Sequence, residues 1–351
     1  MTPEHLDFKQ VKFHGRAGEW FGIWIVNLLL SIITIGIYSA WAKVRMLRYF
    51  YGNTEIEGRT FDYHATGGQI LIGRLIVIGA FILISILSGI FPPLILLVYI
   101  AAIFVVPYLL IRSARFNARN TSWSNVRFNF DGDYGDAIAT FLLFPMLVAV
   151  TLYTTIPLLT RKAQRFYIEN HTLGGKKFSF DCDLGPLYKA FGIAALWLVG
   201  VLVVGGVLLG SLVFSAFDPY NNDPMVQVLP ILVLYAFLFV GFFPAAILYR
   251  ALVRNIVYAN TVLEGGHRFA STTRPLPLLG IAVTNTLAVI LTLGLALPWA
   301  QIRLTRYLAD NTFVAPNGSL DAFVSEIEQD QSAIGDAFSD IEGIDIGGVG
   351  L

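Results

Sequence analysis

The sequence is short of charge and almost without cysteine. Only 14% of its 351 residues are charged, 56% are hydrophobic, and the mean hydropathy is +0.66; ordinary soluble domains carry about 25% charge. A soluble interior has no room for that much apolar surface. The single cysteine, Cys182, excludes a disulfide framework and a cysteine-rich metal site, and reads as a small residue near an interface. Charge is missing altogether from residues 20–42, 75–111, 137–160, 190–217, 224–249 and 275–302. At roughly 20 residues per crossing, each run can reach across a hydrocarbon core. The second is about twice that length and carries Pro92-Pro93 near its middle, so it reads as two helices joined by a tight turn. Ion-coupled pumps and voltage sensors place acids or arginines at such depths, and these runs have none.

Catalytic signals are also missing. No zinc helix motif, phosphate loop or nucleophile elbow occurs, and His5, His14, His64, His171 and His267 lack metal-ligand spacing. The chain therefore reads as a non-enzyme with no cofactor, no metal and no nucleic-acid partner.

What charge there is lies in blocks. Every Lys and Arg stands at or before Arg306, whereas Asp321, Glu326, Glu328, Asp330, Asp336, Asp340, Glu342 and Asp345 make an acidic tail. A basic membrane body followed by an acidic segment is the result. In that tail Ser319 can cap a helix, and Phe323, Ile327, Ile334, Phe338 and Ile341 follow at roughly helical spacing.

The apolar segments echo one another. Asn27, Thr34, Gly36, Trp41, Arg45, Arg48, Tyr49, Asn53 and Thr54 match Asn285, Thr292, Gly294, Trp299, Arg303, Arg306, Tyr307, Asn311 and Thr312 at one constant offset. A weaker copy aligns Phe13, Gly15, Thr34, Arg48, Asn53, Gly58 and Phe61 with Phe130, Gly132, Thr151, Arg165, Asn170, Gly175 and Phe178. The organisation read from this is a first unit at 1–125, a second at 126–270, a partial third at 271–313 and an acidic amphipathic or disordered tail at 314–351. Lys9, Lys12 and Arg16 before an apolar run and Ala40-Trp41-Ala42 imitate a signal peptide. Because the pattern returns near the other end of the chain, the first copy is expected to be retained.

Basic residues follow the first, third, fourth, sixth and seventh apolar segments, whereas the loops after the second and fifth have none. Seven complete spans would put about half of these basic loops on the wrong side of the membrane. Segments one, four and seven are broken internally: Gly36 can end one helix, Ser39 can start another, and Pro157 and Pro298 stand where Ala40 does. The expected fold is an all-α polytopic membrane protein with about four full spans and three re-entrant or broken apolar helices. Seven full spans, with inverted repeats, are the alternative. Short alternating runs at 59–63, 127–130 and 177–180 predict small cytoplasmic β segments.

Phe13-x-Gly15, the stretch from Thr34 to Arg45, Arg48-Tyr49, Asn53-Thr54 and Gly58-x-x-Phe61-x-Tyr63 resemble the YjgN-like bacterial inner-membrane proteins, a family of unknown function. The likeness extends to about Thr312. The middle unit departs from it, with Leu158 in place of Trp41 and Tyr153 in place of Gly36. The resemblance implies a bacterial inner-membrane location and supplies no activity.

The arginine pairs are the sharpest constellation. Arg45 with Arg48, Arg161 with Arg165, and Arg303 with Arg306, together with Asn53, Asn170 and Asn311, form a candidate set for anionic headgroups or a phosphate-bearing ligand. Gly36, Trp41, Gly294 and Trp299 mark the structural repeat. The functional expectation is a transporter or channel-like protein for a lipid or small solute; the alternative is a non-transporting scaffold or anionic-lipid-binding protein. Membrane lipids are the expected partners, and both termini are expected in the cytoplasm.

Overall fold

The computed structural model describes residues 7–215, 224–320 and 322–327. Strands β1 (Lys9–Gln10) and β2 (Lys12–Phe13) precede helices α1 (Ala17–Ile33) and α2 (Ser39–Gly52). Then β3 (Thr54–Ile56) and β4 (Arg59–Tyr63) lead into α3 (Gly67–Ile90) and α4 (Leu94–Arg119). Next come β5 (Thr121–Trp123), β6 (Val126–Phe130), α5 (Tyr134–Ile138), a π-helical stretch (Ala139–Leu143), α6 (Phe144–Val150) and α7 (Ile156–Glu169). They are followed by β7 (His171–Leu173), β8 (Lys176–Phe180), α8 (Leu184–Ser215) and α9 (Pro224–Ala259). The last elements are β9 (Thr261–Leu263), β10 (His267–Ser271), α10 (Pro275–Leu291), α11 (Leu297–Asp310) and β11 (Thr312–Ala315).

The all-α expectation is corrected by these strands. All eleven form one antiparallel sheet in the order β1-β11-β10-β9-β8-β7-β6-β5-β4-β3-β2. Because β1 and β2 are halves of one segment around Val11, the two ends of the sheet meet on that segment and the sheet is a nearly closed ring. Strands of this length cannot stand alone; β3 to β11 are held on both edges, and β1 and β2 on one edge each.

Local chemistry builds each corner. Helices returning to the ring end at Asn53, Asn120, Asn170, Asn260 and Asn311, whose side-chain amides donate to the carbonyl four residues back at 2.7–2.8 Å. The helix-end carbonyl is satisfied, and the next residue can turn into a strand. Glu57-Gly58, Ser124-Asn125 and Gly174-Gly175 then make two-residue turns with positive φ at both positions, the geometry that matches the twist of antiparallel strands.

Inside the ring the side chains alternate as the pleat requires. Phe61 faces Trp123 across the ladder, Phe128 faces Leu173, Phe178 faces Leu263, and Phe269 faces Val314. Lys12, Thr60, Arg127, Lys177 and Arg268 point outward and are exposed. The ring mouth on the turn side is covered by a short helix over 322–327, with Ser319 Oγ accepting from the Ala322 amide at 3.1 Å. Leu320, Phe323, Val324 and Ile327 bury against Trp123, Val126, Leu173 and Leu263. The cap read from sequence at Ser319 is present, while Ile334, Phe338 and Ile341 lie outside the described residues.

On the other side of the ring every helix belongs to a hairpin that leaves and returns. Four helices are long and apolar enough to cross a membrane among the described residues: Gly67–Ile90, Leu94–Arg119, Leu184–Val207 and Ile231–Ala259. The remaining hairpins, α1–α2, α5–α7 and α10–α11, are shorter, and their turns expose Ile35 (93%), Leu152 (83%) and Leu293 (94%). In these turns Gly36, Tyr153 and Gly294 donate backbone N–H to the carbonyls of Ser31, Val148 and Val289, a left-handed helix end that reverses the chain. The Arg74 guanidinium donates to the Ser39 hydroxyl, which places the start of α2 beside the eighth residue of α3. At 1.5 Å per residue that level is about 10 Å into α3, and about 24 Å of helix continues beyond it.

Candidate functional site

The candidate anion-binding residues are distributed on α2, α7 and α11, against different hairpins of the ring, and do not converge on one site. Arg48 Nε donates to the Tyr63 carbonyl at 3.0 Å and Nη2 to that of Ala65 at 3.3 Å. Arg165 reaches the Phe180 carbonyl at 3.4 Å, and Arg306 reaches that of Gly15 at 2.8 Å. Arg115 does the same to Phe130 at 3.0 Å. These guanidiniums tie the last turns of the returning helices to the strand ends beside them. Asn53, Asn170 and Asn311 spend their amides on the helix ends already described.

The other member of each pair sits nearer the hairpin turn. Arg45 lies over Tyr38 with its guanidinium carbon 5.7 Å from the ring centre, and Arg303 lies over Trp299 at 5.1 Å. Arg303 also donates to Thr284 Oγ1 at 2.6 Å and to Asn285 Oδ1 at 3.2 Å. Arg161 is near Cys182, whose buried thiol is pushed up by desolvation against the opposing effect of that cation. Trp41 packs against the start of α3: a Cβ on Gly67 would meet its indole at 2.4 Å.

Three concavities lie along the axis of the ring. On the turn side, a cavity of 160 Å³ is lined by Phe61, Trp123, Phe128, Phe178, Phe269 and Phe323, among others. On the helix side, one of 370 Å³ is bounded by Phe128, Tyr167, His171, Phe178, Tyr258 and Phe269. A neighbour of 480 Å³ is bounded by Tyr51, Phe61, Asn117, Phe128, Tyr167 and His171. Phe61, Phe128, Phe178 and Phe269 thus stand between the two sides and line both. Phe61 stacks with Phe128 at 6.5 Å and Phe178 lies 6.1 Å from Phe269, so the four rings form two pairs across a constriction.

Two histidines mark the ends of this axis. His171, on the helix side, is held below its ordinary pKa by burial, with the Tyr167 carbonyl opposing. His267, on the turn side, is likewise lowered by burial, with Glu326 opposing. Its Nδ1 accepts from the Asn317 amide at 3.1 Å and its ring meets Phe323 edge-on at 4.4 Å. Lys176 pairs with Glu326 at 2.8 Å and anchors the covering helix from the outside. Period-2 phenylalanines were visible in the sequence; their convergence on one axis was not, because it depends on strands far apart in the chain.

The model of a family described as "Bacterial protein of unknown function (DUF898)" matches residues 8–341. The chain belongs to that family. Curated relatives include "Inner membrane protein YjgN" of Salmonella typhimurium, 34% identical over 142 residues, which are 40% of this chain and 36% of the relative. Proteins of the same name in Escherichia coli O157:H7 and K12 are 34% identical over 144 residues, with the same coverage. The aligned part thus spans little more than a third of these relatives' length. No solved structure matches. With its long apolar helices, this family member is a membrane protein, and the resemblance drawn from the residue motifs agrees with the family found.

Proposed function

We propose that the protein is a multi-pass protein of the bacterial inner membrane that takes a lipid-like or small apolar solute into the axis of its strand ring and passes it between the bilayer side and the cytoplasmic side. The carrying observation is that the cavities on both sides of the ring share one wall, the four phenylalanines. An apolar passage interrupted by aromatic side chains admits apolar matter and opposes water and ions, because dewetting closes it. The absence of charge from the middle stretches of the long helices, residues 75–111, 190–217 and 224–249, fits passage without ion coupling. In this placement α3, α4, α8 and α9 cross, the three short hairpins re-enter, and the ring with both termini faces the cytoplasm, where the basic residues belong.

The test uses full-length protein in vesicles and a panel of apolar dyes and fluorescent lipids. Transport predicts protein-dependent flux that Phe128→Trp slows by filling the constriction; a panel-wide absence of flux overturns it. A non-transporting scaffold or lipid-binding protein is the second reading, favoured by the helix over 322–327 that covers the turn-side mouth. Under that reading the apolar dye binds without crossing.

A further inference from the structure

A separate concavity of 380 Å³ opens beside the first short hairpin, away from the ring axis. It is lined by Trp20, Trp24, Asn27, Ser39, Lys43 and Arg74, among others. These residues come from α1, α2 and α3, with Gln301 of α11 at one edge, held by the Trp20 indole N–H at 2.7 Å. Two of the lining groups are cations. Among the described residues no carboxylate lies within ion-pair distance of Lys43 or Arg74. A pair of unneutralised cations in an aromatic-walled hollow calls for an anion.

A second observation is independent of charge. Asn27 is 5% exposed, and its Oδ1 is buried with no hydrogen-bond partner, an arrangement that is unfavourable unless something donates to it. The matching position in the third hairpin, Asn285, has both amide atoms engaged, by the Ala300 carbonyl and by Arg303. The residue matching Arg303 in the first hairpin is Arg45, and it lies over Tyr38 instead. The first hairpin therefore keeps open a place that the third fills with its own arginine.

The depth of the hollow names the ligand's surroundings. Arg74 closes the polar end of α3, and the charge-free run begins at Leu75 and lasts to Ile111. On the membrane placement proposed above, that boundary is the headgroup plane, where tryptophans gather and basic side chains meet phosphate. We infer that this hollow is a binding site for the headgroup of an anionic phospholipid bearing a free hydroxyl. Lys43 and Arg74 take the phosphate oxygens, and the hydroxyl donates to Asn27 Oδ1. The inference needs the placement of Arg74 at the membrane surface but not the axial passage.

The test is native mass spectrometry of the full-length protein, released from nanodiscs that hold phosphatidylglycerol or phosphatidylmethanol in phosphatidylcholine. Both anionic lipids carry one negative charge, and only the first has headgroup hydroxyls. Wild type should retain phosphatidylglycerol over phosphatidylmethanol, and Asn27→Leu should erase that preference. Lys43→Gln with Arg74→Gln should lower retention of both about tenfold, whereas Arg45→Gln should stay within about twofold. Equal retention of the two lipids by wild type, which needs no variant to fold, overturns the hydroxyl contact. Unchanged retention in the double variant overturns the site. Displacement of the lipid by millimolar inorganic phosphate or glycerol phosphate would assign the same cations to a soluble phosphate and overturn the lipid as ligand. Loss of dye flux with lipid retention intact would remove the axial reading and leave this site standing.

Discussion

At the scale of single residues the ring is held by recurring small bonds. Each capping asparagine makes one hydrogen bond to a helix end, so Asn170→Ala should lower stability by about 1 kcal/mol, read as a drop in thermal midpoint in detergent. The same change at Asn53 or Asn311 should give a similar drop and leave lipid retention intact; a loss of retention without a loss of stability would return these residues to a binding role. The sequence showed Asn53 and Asn311 as repeated partners of the arginine pairs, and in the structure their amides close helix ends. What the sequence could not show is the destination of Arg48, Arg165 and Arg306, since their partners are backbone carbonyls at strand ends that become neighbours only on folding. His267 supplies a pH test. Burial holds its folded pKa below the ordinary 6.5, so between those values the unfolded chain binds a proton that the folded chain refuses, and stability rises with pH. Its contribution is complete above about 6.5 and is lost as pH falls through the lowered folded value. Below that pH protease should cut the segment after Asn317 faster, and His267→Gln should flatten the dependence. Glu326, lowered by its bond to Lys176, titrates from an ordinary 4.5 and acts in a separate, more acidic window.

At the scale of elements, two kinds of hairpin share one ring. The short ones are distinguished by turns whose large apolar side chains stand almost fully exposed, at Ile35, Leu152 and Leu293. Such turns are stable where lipid covers them. A nitroxide at each of these positions should be relaxed by dissolved oxygen more than by a water-soluble nickel chelate; the reverse order would place the turns in water. Long charge-free runs made the helices readable, and Gly36, Pro157 and Pro298 marked the breaks. The strands were only half readable. Their second halves, such as Arg59–Tyr63, alternate over five residues, whereas partners such as Thr54–Ile56 are three residues long and carry no periodicity of their own. The covering helix was readable as amphipathic from Ser319, Phe323 and Ile327, but not its seat. It fits so closely that a Cβ on Gly174 would come within 2.3 Å of Ile327. Gly174→Ala should therefore loosen it, with faster proteolysis after Asn317 and quicker dye uptake as the readouts; unchanged rates would mean the helix does not gate the cavity.

At the scale of the whole molecule, the ring explains why the apolar segments resemble one another without being equal. Each helical hairpin must leave and re-join the same circle of strands, so its ends are fixed while its length is free. Hairpins of two lengths then place their turns at two depths from one common platform. On the membrane placement proposed above, all the outward-facing strand positions lie on one side of the membrane and the turn between α3 and α4 on the other. The direct measurement is labelling by a membrane-impermeant maleimide in intact spheroplasts. It uses single cysteines at Thr60, Arg127, Lys177, Arg268 and Pro93, with Cys182 replaced by serine. The account predicts labelling at Pro93 alone, with the four strand positions labelled together only after the membrane is permeabilised; labelling of some strand positions but not others from outside would contradict it.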